Sequence, residues 1–263
     1  MPAPDPASGR QLYGQDPRSY HAGRPDYPER VYEVLVQRCG LESGSRVIEI
    51  GPGTGLATAR LLSLGAQVTA VEANAAMAAH LQKNYGGKNL EVVVAPFEDA
   101  ELAEGAFDLA AAANSFHWVE PKVGAPKLRR LLVPGSWVAV WDMLFDDPTR
   151  PDELAPFMER LLGVSSTFAS PTGGLPFPLD DEGRLPELHQ AGFLDVESEI
   201  IRSEVTLDAA QVRALYASMT LILGRPPGEQ AHLLDAIEAI VRDEFGGKVE
   251  RHFVTGLFTG RNP

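Results

Sequence analysis

Apolar and polar positions alternate in two rhythms along this chain, and the switching between them predicts its architecture. Short apolar runs at 47–50, 68–71, 90–94, 107–112 and 137–141 have the length and β-branched content of strands buried on both faces. Longer stretches at 29–38, 56–64, 75–85 and 122–132 fall between them and place apolar residues at helical spacing. The first of these helices opens at the turn Pro25-Asp26-Tyr27-Pro28 and carries Val31, Val34 and Leu35 on one face. The last closes at Pro134-Gly135. Strands alternating with helices predict an α/β fold with a doubly wound parallel sheet. Right-handed crossovers then set every strand's C-terminal end on one edge, where ligands bind.

After Trp141 this rhythm breaks. Residues 142–180 are rich in proline and glycine, with one helical stretch near 153–162, the pattern of a cap laid on a compact domain. A helix at 185–191, a strand at 196–205 and two helices at 208–223 and 229–245 follow. In the second of these, Leu233, Ile237, Ile240, Val241 and Phe245 recur at helical spacing. A last strand is expected at 251–260. The expected organisation is a disordered tail, 1–9, and a single domain, 10–263. Its lid is residues 10–28 and its cap insertions are 142–180 and 206–247. No internal repeat is visible.

The candidate chemistry sits at the first strand–helix junction, Val47-Ile48-Glu49-Ile50-Gly51-Pro52-Gly53-Thr54-Gly55. Glycines there let the backbone turn sharply and let a ligand lie against bare main chain, and the next helix offers unpaired N–H groups. A dinucleotide fingerprint needs a glycine at the sixth position, which is Leu56 here, and the Gly-Lys-Ser/Thr of a phosphate loop is absent. An acid, Glu49, stands two residues before the first glycine instead, where it would repel a pyrophosphate and suit a cationic amino-acid end. Glu72 closes the next apolar run, 21 residues beyond Gly51, where a carboxylate accepts both hydroxyls of a ribose. Ribose, adenine and a positive end without phosphate describe S-adenosylmethionine.

With these residues the chain resembles the class I S-adenosylmethionine-dependent methyltransferases. The resemblance is carried by Glu-x-Gly-x-Gly-x-Gly from Glu49 to Gly55 and by the acid Glu72. Two further segments, Tyr20-His21-Ala22-Gly23-Arg24-Pro25-Asp26-Tyr27-Pro28 and Asn114-Ser115-Phe116-His117-Trp118, resemble the small-molecule branch typified by trans-aconitate methyltransferase. The resemblance is strong over 13–145 and continues more weakly to the C-terminus. It implies a Rossmann-like, seven-stranded and mostly parallel sheet, an antiparallel C-terminal edge hairpin, and a helical lid or cap.

The resemblance also implies site residues. Glu49, Gly51, Gly53 and Gly55 take the methionine end of the cofactor. Glu72 takes the ribose, with Ala73 and Met77 along the ribose and adenine edge. Phe97 and Glu98 line the adenine, although Pro96 stands where relatives often carry an acid. Asn114 offers its backbone, and Tyr20 and Arg24 close over the ligand, Arg24 pairing with its carboxylate. His117 is the candidate acid–base group, because histidine changes charge near neutral pH. Trp118, Trp141, Met143, Tyr216 and Met219 are candidate walls of a substrate pocket. Methyl transfer needs no covalent nucleophile, so Cys39 has no expected role.

Charge and composition then narrow the partners. A net charge of -13 disfavours a nucleic-acid partner, which requires clustered lysine and arginine. A single cysteine forms no intramolecular disulfide and fits a cytoplasmic location, and the six histidines show no metal-ligand spacing. Met1-Pro2-Ala3-Pro4-Asp5 lacks a basic start and apolar core, so no signal peptide is expected, and no run approaches a membrane span. The expected protein acts as a monomer or homodimer on a small molecule. Its acceptor is a carboxylate, or an oxygen, carbon or nitrogen of a secondary metabolite. The alternatives are a methyltransferase-like fold that binds the cofactor for a non-methylating reaction such as cyclisation, and a binding module.

Overall fold

The computed structural model describes residues 13–163 and 179–263. The chain divides into two compact units, a sheet unit of Asp26–Met143, Phe177–Ile201 and Thr255–Pro263, and a helical unit of Met1–Pro25, Leu144–Pro176 and Arg202–Val254. The expected tail at 1–9 and part of the cap at 142–180 lie outside the described residues.

The sheet unit starts with α2 (Glu29–Gln37) and then alternates: β1 (Arg46–Ile50), α3 (Leu56–Ser63), β2 (Gln67–Glu72), α4 (Ala75–Tyr85), β3 (Leu90–Val94), β4 (Phe107–Ala113), α5 (Pro121–Leu131) and β5 (Leu132–Leu144). The helix α7 (Asp181–Gln190) precedes β6 (Leu194–Asp208), and β7 (Lys248–Arg261) ends the chain's regular structure. The strand order is β3-β2-β1-β4-β5-β7-β6. The first five strands pair in parallel, and the edge pair is antiparallel. This is the doubly wound, seven-stranded sheet that the patterning and the resemblance implied.

Its core follows from the strand faces. Ile48, Ala110, Val138, Val140, Leu128 and Phe258 are completely buried in one cluster. β1 runs between β2 and β4, so the chain winds outward from β1 to β3, then reverses to β4 on the other side. That reversal leaves a crevice at the C-terminal ends of β1 and β4.

Two boundaries differ from the sequence expectation. β5 begins at Leu132, not after Pro134-Gly135. The pairing with β4 jumps from Phe107↔Leu132 to Leu109↔Trp137, so Pro134-Gly135 lies in an excursion of the strand. Gly135 holds φ +83° there, its N–H donates to the Asn262 carbonyl at 2.9 Å, and Asn262 N–H returns to Ser136 at 2.7 Å. The expected helix 208–223 is two helices, α8 (Ala209–Ala217) and α9 (Thr220–Leu223). Met219 between them is extended, and Ser218 bonds back to the Leu215 carbonyl at 2.6 Å.

The helical unit contains α1 (Pro17–Gly23), α6 (Ala155–Leu162), α8, α9 and α10 (Pro227–Glu244). Asp208 and Gln211 form a reciprocal capping box at the start of α8. Gly23 is required where α1 meets α8, because a Cβ there would lie 2.1 Å from the Ala214 carbonyl oxygen. Leu233, Ile237 and Val241 form the buried face of α10. Among the described residues no helix is long and apolar enough to cross a membrane.

Candidate active site

The crevice at β1 and β4 is built from the glycine loop upward. Glu49 lies on the central strand, in register with Ala70 on one side and Ala111 on the other. It is fully buried, and one carboxylate oxygen accepts the Thr58 hydroxyl at 2.6 Å. The other oxygen, Oε1, is buried with no hydrogen-bond partner among the described residues. Burial pushes this carboxyl up to about 7, opposed by the Thr58 bond and reinforced by the charge of Glu72. An orphaned buried acceptor is costly unless something positive reaches it.

The loop glycines have separate reasons. Gly51 holds φ +62°, and a Cβ there would come 2.6 Å from the Ser115 side chain. Ser115 itself donates to the Ile50 carbonyl at 2.5 Å, fixing the end of β4 against the end of β1. Gly55 holds φ +95°, and its Cβ would strike Leu81 at 2.5 Å and the Tyr85 ring at 2.8 Å. It therefore lets α4 approach the loop. Gly53, at φ +59°, has nothing within 4 Å of where a Cβ would stand. The loop's open side is at this glycine.

Glu72 sits beside that opening. Its Oε2 accepts the Gly53 N–H at 2.9 Å and its Oε1 accepts the Asn74 N–H at 2.8 Å. It thus braces the loop against the start of α4, a structural duty added to the expected ribose contact. Ala73 is half-buried, and Met77, 3% exposed, packs in the first turn of α4 under the Asn74 cap.

The adenine candidates are less open than expected. Phe97 belongs to the hydrophobic core cluster, and its carbonyl accepts Lys127 Nζ at 2.7 Å. The same ammonium reaches the carbonyls of Glu98 and Ala100 at 3.1 and 2.6 Å. Burial lowers the Lys127 pKa. The Glu98 carboxylate accepts the Glu120 N–H at 3.0 Å, at the start of α5. Both residues hold this turn together.

At the end of β4, Asn114 takes the left-handed conformation, φ +49°. Asparagine tolerates it, but such strain clusters at functional sites. Its N–H donates to the Trp141 carbonyl at 2.8 Å, and its side-chain oxygen accepts the Met143 N–H at 2.6 Å. The turn Phe116–Trp118 that follows is thereby clamped to the end of β5. His117 Nδ1 lies 3.0 Å from Asp142 Oδ1. The His117 side chain is 32% exposed and that of Asp142 3%. Trp118 lies beside His117, with ring centroids 4.9 Å apart.

Asp142 was not among the residues the sequence singled out. Its signal was the one that marked Glu72, an acid closing an apolar strand. Thr58 and Ser115 left no such signal. Trp141 is completely buried and meets Tyr27 edge-on at 5.7 Å, and Met143 is 5% exposed. Both are core residues in the sheet unit, not open pocket walls.

Four candidates belong to the helical unit. Arg24 donates to the Ser218 carbonyl at 2.9 Å and stacks over Phe145 and Tyr20, 4.6 and 5.0 Å from the ring centres. Its Nε is buried with no acceptor among the described residues. Tyr216 is buried, which raises its pKa against the opposing charge of Arg251. Met219 is half-buried at the start of α9. Cys39 is buried, and its thiol is pushed up to about 12, so it is inert as a nucleophile.

The model of a methyltransferase domain family matches residues 48–140, the span from β1 through the glycine loop to β5. The chain carries an S-adenosylmethionine-dependent methyltransferase domain. S-adenosylmethionine is its cofactor. An uncharacterized methyltransferase of Schizosaccharomyces pombe is 25% identical over 259 residues, 95% of this chain and 96% of that protein. Further curated methyltransferase relatives match over about half their own length. Among solved structures, the [4+2]-cyclase SpnF shares the fold with a TM-score of 0.59 at 20% identity, covering 100% of this chain and 98% of that one. So does a Haemonchus contortus phosphoethanolamine N-methyltransferase bound to phosphomonomethylethanolamine and S-adenosylhomocysteine. Its TM-score is 0.56 at 14% identity, covering 97% of this chain and 57% of that one.

The methyltransferase site fits its cofactor on local chemistry alone. The orphaned, buried Oε1 of Glu49 matches an ammonium, the open face at Gly53 admits a ligand against bare main chain, and Glu72 is the carboxylate beside it. Glu49 accepts from the Thr58 hydroxyl and from no arginine or lysine of the described residues.

Proposed function

We propose that this enzyme transfers a methyl group from S-adenosylmethionine to a small-molecule acceptor, with Glu49, Gly51, Gly53, Gly55 and Glu72 holding the cofactor. The observation that carries the reading is the unpartnered buried oxygen of Glu49 beside an open glycine loop. When bound, the cofactor supplies an electrophilic methyl carbon and takes back the electron pair of its methyl–sulfur bond. Glu49 then accepts the ligand's ammonium, and Glu72 accepts ribose hydroxyls on lone pairs left by its two N–H bonds. Ala73, Met77 and the Asn114 backbone border that site.

A small acceptor follows from charge. A chain at -13 repels polyanions such as RNA or DNA, whereas a compact metabolite needs only local complementarity. The motifs at Tyr20–Pro28 and Asn114–Trp118 favour the branch typified by trans-aconitate methyltransferase, acting in the cytoplasm. Trp118 is the proposed contact of the acceptor in the sheet unit. The test is a labelled-methyl assay on the full chain against a metabolite panel, paired with a cofactor-binding titration. Labelled product supports the reading. Cofactor binding with product formed but no label transferred points instead to a non-methylating reaction, the chemistry named for SpnF.

A further inference from the structure

Lys127 lies on the buried face of α5, 8% exposed, and makes no ion pair among the described residues. Its ammonium has three donors, and three carbonyls of one turn accept from it: Phe97 at 2.7 Å, Glu98 at 3.1 Å and Ala100 at 2.6 Å. The Phe97 ring lies against it, with Nζ 5.0 Å from the ring centre. A second tie runs from the same helix, whose start at Glu120 donates its N–H to the Glu98 carboxylate at 3.0 Å. Taking an ammonium out of water is costly, and packing alone does not ask for the charge.

The turn that Lys127 holds stands at the C-terminal end of β3. The Ala95 N–H donates to the Glu72 carbonyl at 3.1 Å, so the turn starts beside the acid that closes β2. β1, β2 and β3 are successive neighbours in the sheet. A cofactor with its ammonium on Glu49 at β1 and its ribose on Glu72 at β2 therefore sets its base at this turn. The turn's own bonds decide which donor it shows. Pro96 has no N–H, and its carbonyl accepts the N–H groups of Asp99 and Ala100 at 3.0 and 3.1 Å. In a planar trans peptide the C=O and the N–H point opposite ways, so the Phe97 N–H is turned out of the turn. That N–H has no acceptor among the described residues.

We propose that Lys127 is a positioning residue for base selectivity: by drawing three carbonyls onto its ammonium it fixes the turn so that the Phe97 N–H meets N1 of adenine. This rests on the cofactor reading above and extends it to the base. Adenine N1 is an acceptor. Hypoxanthine carries a proton on N1, which would face the Phe97 N–H donor to donor. Pro96 offers the base neither a carboxylate nor an N–H, so Phe97 supplies the first donor of the turn.

The experiment compares two ligands by calorimetry on the full chain, S-adenosylhomocysteine and S-inosylhomocysteine, which differ only at the base. Wild type should bind the adenosyl ligand about 10- to 100-fold more tightly, the effect of leaving one donor opposed and unpaired. Lys127→Met should bring the two dissociation constants within about threefold of each other, by weakening the adenosyl ligand alone. A lysine that only held the fold together would weaken both ligands by the same factor, and a ratio unchanged from wild type overturns the proposal. Amide exchange read by NMR supplies the second readout. The Phe97 N–H should be slowed by the adenosyl ligand and not by the inosyl one; equal slowing by both, or none by either, overturns the proposal too. Should Lys127→Met fail to fold, Lys127→Gln takes its place, with two donors for three, and a wild-type ratio in that variant is again the contrary result. A wild-type chain that binds neither ligand overturns the cofactor reading and this proposal together. Binding of both without preference overturns this proposal alone.

Discussion

Replacing Glu49 with glutamine should stabilise the ligand-free chain at neutral pH while weakening its grip on the cofactor. In the folded chain this carboxyl keeps its proton up to about 7, because it is fully buried and has a single donor among the described residues, Thr58. In the unfolded chain it releases it near 4.3. Between those values the folded state binds a proton that the unfolded state has lost, so the contribution of Glu49 falls as pH rises. The separation corresponds to about 4 kcal/mol once pH exceeds 7. Glutamine copies the protonated form and escapes that cost. At pH 4.5 wild type and Glu49→Gln should melt together. At pH 8 the variant should melt about 8–16 °C higher, taking roughly 2–4 °C per kcal/mol for a chain of this size. Thr58→Val, which removes the donor that favours the ionised form, should widen the wild-type loss. The assay is thermal unfolding by circular dichroism across pH 4.5–8 without ligand. A difference in melting temperature that is flat across this range would refute the reasoning, because it would mean that Glu49 is not the group holding the proton.

Other outcomes follow from the same geometry. Glu72→Ala removes the acceptor for both the Gly53 and Asn74 N–H groups as well as the ribose partner. It should weaken S-adenosylhomocysteine binding by about 10- to 100-fold and also cost about 1–3 kcal/mol of stability in urea unfolding, so an unchanged Kd in a folded variant removes Glu72 from the site. Gly55→Ala, which meets Leu81 and Tyr85, should destabilise the fold by more than Gly53→Ala, which costs about 1–2 kcal/mol for its left-handed backbone alone; equal losses would contradict the packing described for Gly55. Residues 13–25 should gain protection from hydrogen exchange when S-adenosylhomocysteine binds, and identical exchange with and without ligand would count against a role for Tyr20 and Arg24.

Much of the sheet unit was legible because parallel strands buried on both faces leave unbroken apolar runs. The boundaries of α4 and β3 agree residue for residue with the periodicity. Pro134-Gly135 misled because a strand can bulge around a turn dipeptide when a neighbour, here Asn262 just past β7, supplies the pairing. The split of α8 from α9 escaped because Ser218 carries no helix-breaking signature. At the site, Glu49, Glu72 and the glycines stood out because ligand and loop geometry restrict those positions to a few residue types. Asp142 and Thr58 did not stand out, since their roles depend on partners 25 and 9 residues away in the chain, which only the fold brings near. Phe97, Glu98, Trp141 and Met143 show the reverse. Phe97 and Glu98 follow β3, and Trp141 and Met143 lie near the end of β5, yet their side chains are spent on the core, on a helix start or on a neighbouring ring.

The most direct test of the account is a calorimetric titration of the ligand-free chain with S-adenosylhomocysteine at pH 6, run in buffers of different protonation enthalpy, with NAD as the control ligand. If the ammonium of the ligand meets Glu49, binding must expel the proton that this buried carboxyl still holds below its value of about 7. The account predicts one S-adenosylhomocysteine per chain, close to one proton released to the buffer, no release from Glu49→Gln, and no heat from NAD. Heat from NAD with none from S-adenosylhomocysteine, or adenosyl binding whose proton release is the same in wild type and Glu49→Gln, would contradict it.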